Sequence, residues 1–145
     1  TGTGLMYSTF DEYKPKKPGT IGQRMNGSLI SMNQGKAVAY TIFNLQKSGK
    51  FFVEHNTEVY EGMVIGNTVK GADMEVNPTK GKQLTNMRAS GTDEQVKMTP
   101  PLELSLELAM GLMREDEYLE VTPDAIRLRK QYLKESDRSK NKRKK

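Results

Sequence analysis

The sequence predicts an α+β domain, mainly antiparallel β, built from several strands with one or two short helices. Three observations predict it. Short β-favouring segments, separated by Gly, Asn and Pro turns, recur across residues 27–77 and again across 118–133. One stretch between them, 104–116, carries apolar residues at helical spacing instead. Of the 145 residues 34% are hydrophobic and 28% charged, which allows a modest core and excludes a fibrous chain.

Taken in order, "GLMYSTFDEY" (4–13) sets Leu5, Tyr7 and Thr9 on one side and Met6, Ser8 and Phe10 on the other, a strand apolar on both faces. "KPKKPGTIGQR" (14–24) has two prolines, two glycines and no acid, and is a linker. "GSLISMNQGKAVAYTIF" (27–43) has the form of a hairpin turning at 33–35, where Asn and Gly accept φ > 0. "NLQKSG" (44–49) fits a short helical turn closed by Gly49. "KFFVE" (50–54) and "EVYEGMVIGNTV" (58–69) are strands around the polar turn "HNT", with Gly62 and Gly66 marking a bulge or bend. "DMEVN" (73–77) is a further short strand.

In 104–116, Ser105 fits an N-cap, and Leu106, Ala109, Met110 and Met113 fall at i, i+3, i+4 and i+7. Residues 118–133 read as a second hairpin turning at 122–124, with Arg127 and Arg129 opposite Ile126 and Leu128. The alternative is a helix from Pro123 to Leu133. The last residues, "KESDRSKNKRKK", have little apolar surface to offset ordering entropy and predict a frayed or disordered, exposed tail.

Much chemistry is excluded. With no cysteine there is no disulfide framework and no thiolate metal site. His55 is the only histidine, so a histidine-rich zinc site is impossible and a catalytic triad improbable. Gly2-x-Gly4 precedes a strand-like segment rather than a helix, so it is no dinucleotide fingerprint, and no P-loop occurs. Glu115, Asp116, Glu117 and Glu120 lack EF-hand spacing and read as a solvated acidic face. No apolar run approaches the ~20 residues of a membrane helix, and the N-terminus has no signal-peptide pattern.

Charge is polarised. Residues 127–145 hold ten basic residues against Glu135 and Asp137, a net +8, leaving −3 on residues 1–126. A cationic tail points to an anionic partner such as nucleic acid, or else to a solvated terminus. "KGKQLTNMRASGTDEQVKMTPP" (80–101) has no clear period and few apolar residues. A loop of that length is functional or disordered. Its Lys80, Lys82, Arg88 and Lys97 attract phosphates, while Thr85, Asn86, Ser90 and Thr92 offer neutral hydrogen-bonding groups.

"LTNMRASGTDE" (84–94) strongly resembles the matching segment of the TypA/BipA family of translational GTPases. So do "TGLMYSTFDEY" (3–13), "TEVYEGMVIG" (57–66), "TPPLELSLELA" (99–109) and "LEVTPDAIRLRK" (119–130), in the same order along the chain. The resemblance implies a C-terminal piece of such a protein. Residues 1–20 would be the terminal strand and linker of an elongation factor G-like, ferredoxin-type domain. Residues 21–145 would be the family-specific C-terminal domain with its basic tail. It implies a non-catalytic, cytoplasmic, monomeric ribosome-binding module with no membrane contact, in a parent that uses GTP and magnesium and serves ribosome assembly and stress adaptation. The expected partners are the bacterial ribosome, its ribosomal RNA, and the acceptor end of A-site tRNA, reached by the loop 80–101. By resemblance Lys82, Thr85, Asn86, Arg88 and Ser90 are the loop's RNA contacts. Lys80, Lys97, Arg127, Arg129 and Lys130 join them on charge. The family tends to carry a second Lys where this chain has Gln83. The competing class is a protein-interaction module docking through the helix 105–115.

Overall fold

A computed structural model describes residues 7–15, 26–81 and 98–143. Its architecture is α+β, mainly antiparallel, with three short helices. The strands are β1 (Ser28–Ser31), β2 (Gly35–Lys36), β3 (Gly49–Phe51), β4 (Glu58–Val59), β5 (Met63–Thr68), β6 (Met74–Val76), β7 (Glu117–Val121) and β8 (Ile126–Lys130). The helices are α1 (Ala39–Leu45), α2 (Leu106–Leu112) and α3 (Glu135–Lys142).

The sheet is organised around β5, whose "MVIG" is buried on both faces. One edge of β5 pairs antiparallel with β1. The other edge is shared, with β3 along Gly66–Thr68 and β8 along Met63–Val64, both antiparallel. The order is β6-β1-β5-β8-β7, and β1–β6 is the parallel pair. The register of β1 on β5 slips between Leu29 and Ile30, a bulge beside Gly66. Gly62, before β5, has φ +84°, and a Cβ there would lie 2.6 Å from the Cα of Leu133. Only glycine fits that turn.

Two cores form, one on each face of the sheet. Leu29, Ile65 and Phe51 pack with Ile42 of α1 on one face. Val64 and Leu128 pack with Ala109 and Leu112 of α2 on the other. Each fully buried aliphatic side chain contributes about 1.5–3 kcal/mol.

Several expectations are corrected. Residues 27–43 are not a hairpin. β1 pairs with β5 and β6, β2 pairs with β4, and 39–45 is helix α1, which buries Ile42 inward. A 3-10 turn (Gln46–Ser48) follows, but Gly49 is extended and opens β3 rather than capping in the left-handed region. Residues 7–15 form no strand, and Tyr7, Phe10 and Tyr13 are exposed. The helix after Ser105 is present, and Leu108 N–H donates to the Ser105 hydroxyl at 3.2 Å. Its inward face is Ala109 and Leu112, however, so Leu106, Met110 and Met113 point outward. The hairpin 117–130 forms, with the turn closed by Thr122 and Ala125, and the helical alternative is excluded. The tail is ordered as α3 through Lys142, mostly exposed but with Arg138 buried.

Candidate nucleic-acid interface

Helix α1 and the 3-10 turn that follows it hold the two ends of the predicted contact loop. At the outgoing end Val38 N–H donates to Pro78 C=O at 2.9 Å, and the Thr41 hydroxyl donates to Lys80 C=O. At the returning end Thr99 N–H donates to Gln46 Oε1 at 3.1 Å. Thr41 and Gln46 lie five residues apart on one helical segment, on the order of 8 Å along its axis. The chain therefore leaves and returns beside one helical segment. Beyond Thr99, Leu102 N–H donates to Phe51 C=O at 2.8 Å, and the path crosses to the α2 face.

Lys80 is exposed at this foot. Lys82, Thr85, Asn86, Arg88, Ser90 and Lys97 lie outside the described residues. Residues 36–53, which contain α1, include Lys36, Lys47 and Lys50 and no acid.

The three cations of β8 have different surroundings. Met63 of the α1-side core pairs in register with Arg129, so Arg127 and Arg129 face the α1 side. Arg129 Nε lies 2.7 Å from Glu120 Oε1, and its guanidinium sits 5.0 Å over the Tyr118 ring. Tyr60 donates to Glu120 Oε2 at 2.5 Å. Burial, then that hydrogen bond to a carboxylate, push the Tyr60 phenol above its ordinary range. Arg127 is half-buried and makes no ion pair among the described residues.

Lys130 faces the other way and leaves the interface. Its side chain is 1% exposed, with its ammonium 2.9 Å from Glu117, 2.9 Å from Asp116 and 3.0 Å from Asp73. Glu117 also accepts from the Ser28 hydroxyl at 2.5 Å, and Asp73 accepts from Ser28 N–H and Arg114. A lysine so enclosed cannot reach a phosphate. The alternation of the hairpin carried this signal, since period two sets Lys130 on the face of Ile126 and Leu128, directly across from Glu117. The acidic run 114–120 is a solvated face only in part: Glu115 and Asp116 are exposed, but Glu117 is buried, and Asp116, Glu117 and Glu120 are ion-paired.

This network titrates in a predictable sense. Burial disfavours the Asp73 carboxylate, but Ser28 N–H, Lys130 and Arg114 outweigh it and hold its pKa below the ordinary value. Burial likewise disfavours the Lys130 ammonium, but Glu117, then Asp116 and Asp73, raise its pKa. A depressed carboxyl contributes stability above its unfolded value of about 3.9 and loses it as pH falls through the folded value. A raised lysine contributes below its unfolded value of about 10.4 and loses it as pH rises through the folded one. Asp73→Asn is therefore expected to cost stability at pH 6 and progressively less toward pH 3, measured by urea unfolding. A gap independent of pH would show that the carboxylate's charge is not involved.

Among the described residues, the geometry brings the two ends of the loop, with exposed Lys80, to one helical segment. The model of the TypA/BipA C-terminal domain matches residues 26–135. The chain belongs to the TypA/BipA family. It is 55% identical over 138 residues to the large ribosomal subunit assembly factor BipA of Salmonella typhimurium. It is 54% identical over 138 residues to that of Escherichia coli K12, and 51% over 140 residues to that of Buchnera aphidicola from Schizaphis graminum. These matches cover 95%, 95% and 97% of the chain. The chain spans 23% of the length of each of these relatives.

Proposed function

We propose that this TypA/BipA C-terminal domain is a non-catalytic module that anchors a translational GTPase to the bacterial ribosome during large-subunit assembly. Its loop 80–101 contacts ribosomal RNA and the acceptor end of A-site tRNA. The observation that carries the proposal is the fastening of both loop ends to α1 and its 3-10 turn, through Thr41 with Lys80 and Gln46 with Thr99. Lys80 and Thr99, the described ends of the loop, thus share one helical segment, which supports a loop acting as one unit. Residues 1–20 belong to the preceding domain in this view, and GTP and magnesium to a separate GTPase domain of the parent. The module acts in the cytoplasm, as part of a monomer, and serves adaptation to stress.

Arg88 is the decisive residue, since a guanidinium pairs bidentately with phosphate or stacks on a base. In the full-length protein Arg88→Ala is expected to weaken ribosome binding roughly ten- to a hundredfold, the loss of one charge-assisted contact, with melting unchanged. A sharp drop in melting temperature with normal binding by the folded fraction would place Arg88 in the scaffold instead.

A second reading is favoured by one observation. Leu106, Met110 and Met113 form an exposed apolar stripe on α2, flanked by the exposed Glu103, Glu107 and Glu115. Such a face suits a protein partner, not RNA. Apolar docking varies little with salt, whereas phosphate binding falls steeply with it.

A further inference from the structure

The loop's foot carries aromatic surface that the core does not use. Within α1, Ile42 is buried and Leu45 packs beside it, which completes the inward face. Tyr40 and Phe43 fall at i and i+3 on the outward face, and exposed Lys47 follows in the 3-10 turn. Tyr40 is 45% and Phe43 37% exposed. Each ring thus leaves a substantial part of its surface in solvent.

Along the helical segment itself the charge is one-signed, while Glu58 of β4 sits across from Lys36 before the helix. Lys47 and Lys50 are exposed, Lys80 is tied to Thr41, and no acidic residue occurs between Lys36 and Val53. The α2 face is the reverse, with apolar residues under an acidic rim. Exposed rings beside lysines fit a ligand with flat faces and a phosphate chain. Bases in a duplex are already stacked on each other. Unpaired bases offer free faces to a Tyr or Phe.

We propose that the outward face of α1 is a stacking platform for unpaired nucleotides, with Tyr40 and Phe43 receiving bases and Lys47 and Lys80 holding the adjoining phosphates. The platform rests on the RNA-binding role proposed above, and adds to it a preference for single strands at the base of the loop. The loop supplies charge, and the helix beneath it supplies discrimination between paired and unpaired RNA.

The test titrates the full-length protein with a fluorescein-labelled twelve-nucleotide oligoadenylate RNA and with a twelve-base-pair RNA duplex. Three variants accompany it: Tyr40→Ala/Phe43→Ala, Tyr40→Phe/Phe43→Tyr, and Arg88→Ala. The alanine pair is expected to bind the single strand about tenfold more weakly or worse and the duplex within about twofold of the native protein. The aromatic exchange should restore single-strand binding. If the alanine pair binds the single strand as the native protein does while Arg88→Ala is weakened, the platform is wrong and the loop reading survives. If neither variant is weakened, or the native protein binds neither RNA, both fail. Equal losses on both RNAs accompanied by a lower melting temperature would make the rings structural and also overturn the platform.

Discussion

Lys130→Met is expected to lower stability by about 3–5 kcal/mol at neutral pH, the range for removing one partner of a buried ion pair. Methionine keeps the length of the aliphatic stem, so the site is filled and no cavity contributes. What is lost is the cation. Glu117, whose side chain is 1% exposed, and Asp73, at 11%, are left facing each other, with Arg114 as the remaining nearby cation. Asp116 is half-exposed and adds little. Asp73 loses one of the cations that hold its pKa below the ordinary value, so the carboxylate is less favoured in the folded variant than in the native protein. The stability gap to the native protein therefore narrows as pH falls into the carboxylate range. Urea unfolding at pH 7 and pH 5 measures both effects. Adding Glu117→Gln should recover part of the neutral-pH loss. A change under about 1 kcal/mol at pH 7 would mean that desolvation already cancels the network's attraction.

The same residue shows how far the sequence carries. The hairpin 117–130 was legible from alternation and from a Thr-Pro-Asp turn, and so was the cap at Ser105, because both signals are local. Alternation also separates Lys130 from Arg127 and Arg129, yet net charge groups all three. Only the structure shows Asp73 brought to Lys130 from 57 positions earlier in the chain. Helix α1 was illegible for a different reason. Ala37–Phe43 is rich in β-favouring residues, its N-cap Val38 has no capping side chain, and its first turn has no acid. Tertiary contacts decide it. Ala37 and Val38 donate to Thr57 and Pro78, and Ile42 fills the core against Leu29 and Ile65. The pairing of β1 was illegible too, since Ser28 meets Asn67 and no turn signal connects them. On α2 the apolar spacing fits two faces, and the larger residues took the exposed one. For the interface, the loop's composition was legible and its fastening to α1 was not. That fastening depends on a helix which the local sequence does not announce.

Arg138→Ala is expected to release α3 while the sheet stays folded. Helix α3, "ESDRSKNK", contains no apolar residue, so it has no hydrophobic face to dock. Acids in its first turn and lysines in its last complement the helix dipole, which contributes only about 0.3–1 kcal/mol per charge. The anchor is Arg138, 8% exposed. It donates to Glu75 Oε1 through Nε at 3.2 Å and Nη2 at 2.8 Å, and through Nη1 to the carbonyls of Tyr132 and Leu133. Glu75 sits on β6, at the edge of the sheet, and its Oε2 has no hydrogen-bond partner among the described residues. Deleting the guanidinium strands that carboxylate and two carbonyls, a loss of about 1.5–3 kcal/mol for hydrogen bonds to a charged group. Lysine should not rescue, because one ammonium cannot serve acceptors placed for a planar fork. Amide exchange separates the outcomes. In Arg138→Ala and Arg138→Lys the amides of 136–142 should exchange at nearly unprotected rates, with β1 and β5 still protected. Retained protection across α3 would show that capping and dipole terms hold the helix alone. Protection lost throughout would instead make Arg138 part of the global fold. Under the expected result the order of α3, which the composition of the tail did not announce, rests on one residue.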